Sequence, residues 1–228
     1  MNELLKMTAH QVKEGKFDKA ILAIGSCEAH GQHLAEGCDT IVSYELSKQV
    51  ADRVPGMLVL PPITVGYSGH YDTFPFTLTF DYETMIHVIY DIVESVLRNG
   101  INKIFLMNGH DGNIAPIEIA ARKIKEKYPD ARIASLPEWW VIAGKLVPEG
   151  TFAVWNGLGH AGEGETSIAY HLFPQWCEPD QATCVVPDHL PEHVDIKWDF
   201  AEITDTAQTG DATVATAAKG KLMNDCLV

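Results

Sequence analysis

The chain has 228 residues and a formal net charge of −14 at pH 7, because 31 acidic residues outnumber 17 lysines and arginines. Hydrophobic residues make up 46% of it and charged residues 21%, a globular composition that excludes a disordered chain. The negative charge argues against binding to nucleic acid or to anionic membranes, since both need basic patches. We expect one domain spanning residues 1–228, large enough to fold without structural disulfides or metals.

Short apolar runs alternate with amphipathic stretches over the first part of the chain. The apolar runs predict buried strands at residues 19–26, 57–61, 103–107 and 131–136. Apolar residues at helical spacing predict helices at residues 41–54, 82–98 and 113–127, the first capped by Asp39 and Thr40 and the second by Asp81. Strands that alternate with helices of this length predict an α/β fold, with a mostly parallel sheet covered on both faces.

The remainder of the chain carries weaker signals. Four prolines break the sequence from residue 174 onward, and residues 212–226 predict a final helix. His189 and His193 are separated by Pro191, which predicts a surface loop. We expect no membrane span and no signal peptide, and the five scattered cysteines favour a reducing, cytoplasmic location.

Polar segments rich in histidine and carboxylates follow two of the predicted strands. Residues 27–39 (CEAHGQHLAEGCD) follow the first strand, and residues 108–113 (NGHDGN) follow the third. A further segment of this kind, HAGEGET, occupies residues 160–166. Ligands of open α/β sheets bind at the carboxyl ends of the strands, so these segments are the place to expect chemistry.

The donor types in these segments suit a metal site. Carboxylates and imidazoles without paired thiols favour Zn²⁺, Mn²⁺ or Fe²⁺. Glu28 and His30 can serve two neighbouring ions, Asp39 can bridge them, and His110 arrives from a nearby strand. Two ions about 3.5–4 Å apart can deprotonate a water for attack on a carbonyl, which leaves His160 to carry a proton. The alternative is a hydrogen-bonded polar cluster in which Asp39 caps a helix.

The motifs together resemble those of the creatininase (creatinine amidohydrolase) family. They occur in that family's order within residues 19–173, and they comprise GSCEAHGQHL at 25–34, Asp39, GYSGH at 66–70, NGHDGN at 108–113 and HAGEGETS at 160–167. The resemblance implies a three-layer αβα sandwich, and a homo-oligomer that is a hexamer or smaller. It also implies two divalent ions per chain, zinc, manganese or iron.

The resemblance carries ligand roles onto matching residues. It implies that Glu28, Asp39 and His110 bind one ion, that His30 and Asp39 bind the other, and that His160 is the catalytic histidine. Creatininase itself has a glutamate ligand of the second ion where this chain has Gly112. We assign the missing ligand, with a catalytic role, to Glu165; the alternatives behind it are Glu163, Asp111 and His33.

Other residues near these motifs have less specific interpretations. Cys27 and Cys38 are interpreted as small packed residues rather than as a nucleophile or a redox pair. Trp139 and Trp140 predict a core or interface pair, with a lid over the substrate as the alternative. His70 either lines the pocket or satisfies a loop.

The function predicted is a binuclear metal-dependent hydrolase that acts on a small-molecule substrate. Metal-bound hydroxide attacks a non-peptide C–N bond of a small cyclic amide or a formamide, and His160 passes the proton to the leaving nitrogen. The alternatives are ring-opening C–C hydrolysis of a keto-inositol on the same scaffold, and a non-catalytic binding protein with a depleted second metal site. Residues 157–162 also match the dinucleotide pattern G-x-G-x-x-G, but Glu163 and Glu165 place negative charge where phosphates bind.

Overall fold

The computed structural model describes residues 2–188 and 196–228, so the predicted loop containing His189 and His193 lies outside the described residues. Contacts divide the chain into two compact units. The first comprises Met1–Ser26, Asp39–Tyr67 and Thr79–Glu138, and the second comprises Cys27–Cys38, Ser68–Leu78 and Trp139–Val228. The single-domain organisation stays a prediction.

A four-stranded parallel sheet forms the centre of the first unit, which confirms the predicted α/β fold. The strands are β1 (Lys19–Ile24), β2 (Met57–Val59), β3 (Lys103–Asn108) and β4 (Arg132–Leu136), in the order β2-β1-β3-β4. The chain therefore passes from β1 to β2 on one side of β1, and then from β2 to β3 on the other side. The carboxyl ends of β1 and β3 meet at this reversal, which is where ligands bind in such sheets.

Helices cover both faces of this sheet, as the predicted three-layer sandwich requires. The helices of the first unit are α1 (Ala9–Glu14), α2 (Cys38–Arg53, whose first residue belongs to the second unit), α3 (Tyr82–Arg98) and α4 (Ile114–Lys127). Leu22 of β1 packs in one core cluster with Ile89 of α3 and Ile117 of α4. On the other face, α2 buries Val42 and Leu46 completely.

The predicted helix starts differ in their outcome. Asp81 caps α3, since its side chain accepts a hydrogen bond from the Thr84 amide at 2.6 Å. The predicted cap at Asp39 is wrong, because α2 begins at Cys38 and places Asp39 inside its first turn. The side chain of Asp39 is thereby directed away from the usual capping role.

Three helices form the body of the second unit. They are α5 (Trp139–Leu146), α6 (Glu163–Leu172) and α7 (Ala217–Leu227), accompanied by the short antiparallel strands β5 (Cys184–Val185) and β6 (Gly210–Asp211). The two helices α6 and α7 approach closely at Gly220, where a Cβ would overlap the Ser167 carbonyl oxygen. The predicted final helix starts five residues late, at Ala217, after a 3-10 turn. Within residues 2–188 and 196–228, no helix is both long and apolar enough to cross a bilayer.

Candidate metal centre

In the first unit, Asp39 and His110 face each other with both side chains only 3% exposed. His110 Nδ1 lies 3.2 Å from Asp39 Oδ2, which also accepts a hydrogen bond from the Ser26 hydroxyl at 2.8 Å. The close approach depends on Gly109, where a Cβ would overlap the Asp39 carbonyl oxygen. Gly109, the first glycine of the NGHDGN segment, therefore lets the first turn of α2 reach the end of β3.

The hydrogen bonds of His110 fix its tautomer. Its Nε2 lies 2.8 Å from the Tyr67 carbonyl oxygen, and a carbonyl oxygen only accepts, so Nε2 carries the hydrogen. In the neutral ring, Nδ1 then directs a lone pair at the Asp39 carboxylate. Two acceptors at this separation repel each other unless a proton or a cation lies between them. The pair therefore fits a bound cation.

In the second unit, Glu28, His30 and His160 form a three-donor group whose ligand atoms all lie within 4.8 Å of one another. Glu28 and His30 are completely buried. The two imidazole rings have centroids 4.2 Å apart, and His160 Nδ1 is 4.0 Å from Glu28 Oε1. One carboxylate and two imidazoles are the donors that Zn²⁺ and similar ions bind.

Both histidines of this group are held by backbone carbonyls. His30 donates from Nδ1 to the Glu28 carbonyl at 3.1 Å, and His160 donates from Nε2 to the Ala29 carbonyl at 2.7 Å. The lone pairs that remain are on His30 Nε2 and His160 Nδ1. A second-nitrogen bond to a carbonyl is the usual support of a metal-binding histidine, so the donor chemistry fits a divalent ion.

His33 supports the loop between β1 and α2. The Thr166 hydroxyl donates to the Ala161 carbonyl at 3.0 Å and so accepts from His33 Nε2, which lies 2.8 Å away. Burial, and secondarily the charge of His30, lowers the pKa of His33 to about 4. A neutral His33 thus ties the loop to α6.

The surroundings of Gly112 leave no room for a side chain. A Cβ there would overlap the Tyr67 carbonyl oxygen and lie 2.6 Å from His110 Nε2. The same carbonyl anchors the His110 ring. A larger residue at this position would displace that anchor.

The alternatives for the missing ligand occupy different environments. Glu165 is partly buried, and its Oε2 accepts a hydrogen bond from the Ala161 amide at 2.6 Å. Glu163 is buried, pairs with Lys219, and accepts from the Ala153 amide at 2.7 Å. Asp111 is exposed. The ligand and catalytic roles of Glu165 stay predictions.

Aromatic side chains enclose His160 in the second unit. Its ring centroid is 4.6 Å from that of Tyr71 and 5.2 Å from that of Phe200. The sequence analysis identified neither residue. Phe200 lies far from every motif, whereas Tyr71 directly follows the GYSGH segment. His70 stacks on Tyr71 with centroids 4.4 Å apart. Trp139 is buried, as expected of a core residue.

The dinucleotide interpretation of residues 157–162 lacks its structural context. The helix α6 is preceded by a 3-10 turn over Trp155–Gly157, whereas the fingerprint requires a strand at that point.

Comparisons with known proteins agree with the motifs. The chain is 29% identical over 223 residues to the creatinine amidohydrolase of Pseudomonas putida, covering 91% of this chain and 85% of that protein. It is 26% identical over 242 residues to the mycofactocin precursor peptide peptidase of Mycobacterium ulcerans, covering 100% of this chain and 90% of the relative.

Solved structures give the same result. A manganese creatininase superimposes with a TM-score of 0.81 at 27% identity, covering 99% of this chain and 94% of the other. A mutant creatininase described as Zn-Zn type gives a TM-score of 0.80 at 27% identity, with 99% and 93% coverage. The family model described as creatininase, creatinine amidohydrolase, matches residues 5–228. The chain therefore belongs to the creatininase family of hydrolases.

Proposed function

We propose that this chain is a two-metal hydrolase that cleaves a non-peptide C–N bond of a small cyclic amide or a formamide. The observation that carries the proposal is the arrangement of three histidines, His30, His110 and His160. Each ring donates one N–H to a backbone carbonyl, and each lies beside a buried carboxylate. A histidine with a purely structural role in a core does not require a buried carboxylate beside its second nitrogen.

The proposed ligands are those that the family motifs assign. Glu28, Asp39 and His110 hold one ion, while His30 and Asp39 hold the second with Glu165 as a further ligand. The ions are zinc, manganese or iron, and the creatininase structures described as manganese and Zn-Zn forms support the first two. When bound, such ions polarise a carbonyl and lower the pKa of water.

His160 is the proposed proton carrier. Its Nδ1 holds the lone pair, because Nε2 donates to the Ala29 carbonyl, so Nδ1 takes a proton from the attacking water and returns it to the leaving nitrogen. Glu28 Oε1 lies 4.0 Å from His160 Nδ1. Tyr71 and Phe200 pack against the same ring and exclude water from that side.

Peptides are a second candidate class of substrate. The observation that favours them is the similarity over 100% of this chain to a protein named as a peptide peptidase. Cleavage near the end of a short peptide uses the same carbonyl chemistry as opening a cyclic amide. The two classes differ in the leaving group rather than in the reaction.

A substrate panel on the metal-loaded protein tests the proposal. It contains creatinine, other lactams, formamides, short peptides and a keto-inositol, and we expect turnover of a lactam or formamide. Glu28→Gln and His110→Ala should abolish turnover while leaving the circular dichroism spectrum unchanged. His87→Ala is the matched control, because His87 is exposed and also bonds a backbone carbonyl, that of Glu83, at 2.7 Å.

The following outcomes would each exclude hydrolysis of a non-peptide C–N bond by the proposed mechanism. Turnover of peptides alone transfers the activity to the second candidate class, and turnover of the keto-inositol alone makes the bond a C–C bond. Tight retention of an unmodified ligand without turnover favours a binding protein. Undiminished turnover in Glu28→Gln removes the mechanism.

The proposal extends to the setting of the protein. We expect a homo-oligomer, a hexamer or smaller, as the resemblance to the creatininase family implies. Light scattering on the purified protein measures the oligomer size, and a monomer would contradict the expectation. We also expect a cytoplasmic location, since the five cysteines are scattered along the chain and form no disulfide in the part of it that the structure describes.

A further inference from the structure

We propose that the Cys38 thiolate is a ligand of the second metal ion, a donor that replaces the glutamate absent at position 112. The inference rests on the proposed two-metal function. It revises the interpretation of Cys38 as a small packed residue, and it makes Cys38 an alternative to Glu165 for the same role.

The position of the thiol relative to His30 carries the inference. Cys38 Sγ and a ring nitrogen of His30 lie within 4.8 Å of each other, and Cys38 is only 1% exposed. The sulfur and nitrogen ligands of a tetrahedral zinc ion stand about 3.6 Å apart, from bond lengths of about 2.3 and 2.0–2.1 Å. A side-chain rotation can close the difference. Asp39, the proposed bridging ligand, is the next residue of the chain.

The loop that leads into Cys38 also contains buried polar atoms whose hydrogen-bonding capacity is not met. In the part of the chain that the structure describes, His33 Nδ1 and Glu36 Oε2 are buried without a hydrogen-bond partner. His33 as a whole is 1% exposed. Buried polar atoms without partners are rare, and each calls for a compensating group. A cation bound at this loop would be such a group for His33 and Glu36.

A thiolate ligand changes the metal that the second site prefers. Soft sulfur donors select zinc over manganese, which prefers oxygen. A second site that includes Cys38 beside His30 should therefore bind zinc in preference to manganese.

Cobalt substitution tests the inference with a signal independent of activity. Metal-free full-length protein is titrated with Co²⁺, and a thiolate ligand gives a near-ultraviolet sulfur-to-cobalt charge-transfer band. We expect the band to appear with the second equivalent and to be lost in Cys38→Ser. Cys27→Ser is the matched control and should retain the band, since Cys27 joins no three-donor group among the described residues.

Zinc affinity, measured by chelator competition, gives a second readout. Cys38→Ser should weaken the second equivalent by more than the ~10–100-fold that residues supporting a ligand contribute. Glu165→Gln should leave the charge-transfer band in place.

The outcomes separate this inference from the function on which it rests. Two equivalents of bound cobalt without a charge-transfer band, or a band that survives in Cys38→Ser, overturn the role of Cys38 and leave the two-metal hydrolase intact. Failure to bind cobalt at all overturns both.

Discussion

The imidazole of His160 is held by a hydrogen bond at Nε2, and its Nδ1 lies 4.0 Å from Glu28 Oε1. Because Nε2 is bonded to the Ala29 carbonyl, only Nδ1 can exchange a proton. We predict that His160→Gln lowers kcat by about 10²–10⁴-fold, the usual contribution of a positioned acid–base group, and leaves KM nearly unchanged. Steady-state kinetics on the best substrate of the panel measures both constants.

Metal analysis of the same variant separates proton transfer from metal binding, since His160 also lies within the donor group of Glu28 and His30. A proton carrier predicts unchanged metal content in His160→Gln. Loss of one equivalent would instead make His160 a ligand. His171→Gln, which replaces a histidine of the following helix α6 that joins no three-donor group among the described residues, provides the control.

The buried His33 makes stability depend on pH. Burial lowers its pKa to about 4, whereas an unfolded histidine titrates near 6.5. Between these values the unfolded chain binds a proton that the folded chain does not, so this contribution to the free energy of unfolding falls as pH decreases from about 6.5 to 4.

We predict that His33→Asn flattens this pH dependence. The slope should fall by less than about 1.4 kcal/mol per pH unit, the limit for one proton. Urea unfolding of metal-free protein at several pH values within the window measures the slope. Parallel curves for the variant and the wild type would show that His33 titrates as in the unfolded chain.

At the residue scale, the sequence predicts which side chains are metal donors better than it predicts the hydrogen bonds that hold those side chains in place. Glu28, His30 and His110 stand out because histidine and carboxylates follow predicted strands. The carbonyl oxygens of Tyr67 and Ala29, which fix two of the tautomers, leave no side-chain signal in a sequence. Tertiary packing alone brings them to the rings.

At the scale of elements, an ion pair with a buried carboxylate joins α6 to α7. The Glu163 side chain is completely buried, and Lys219 is its partner. We predict that Lys219→Met lowers the free energy of unfolding by about 3 kcal/mol, because it leaves a buried carboxylate without its counter-ion. Chemical denaturation measures the loss.

Two further variants qualify this result. Glu163→Gln combined with Lys219→Met should recover part of the stability, since the buried charge is removed with its partner. Lys221→Met, in the exposed pair with Asp225 on the same helix, should change stability by no more than about 0.5 kcal/mol. Equal losses for the two lysines would contradict the distinction between buried and exposed pairs.

The elements of the first unit follow from the sequence more closely than those of the second. Continuous apolar runs predict β1 and β3 because a parallel strand is buried on both faces. The sequence places the start of α7 too early, because Ala212–Val214 forms a 3-10 turn. Alanine and valine carry no signal that distinguishes the two kinds of helix, whereas the Thr216 cap marks the true start.

At the scale of the whole molecule, a net charge of −14 favours the approach of cations and opposes nucleic-acid binding. Metal binding should therefore contribute strongly to stability, since ions that bind only the folded chain relieve repulsion among its buried carboxylates. A ligand at 100 times its Kd stabilises the folded state by about 2.7 kcal/mol per site.

For a chain of this length, about 2.7 kcal/mol raises Tm by about 5–10 °C. We predict that chelation lowers the Tm of the wild type by at least this amount, and that added zinc restores it. Glu28→Gln should lose most of the response, because one ion is then missing a ligand, while His87→Ala should keep it. Calorimetry with and without chelator makes the measurement. If chelation left the Tm of the wild type unchanged, the buried carboxylates would have to be satisfied by protons, and the two-metal centre would be excluded.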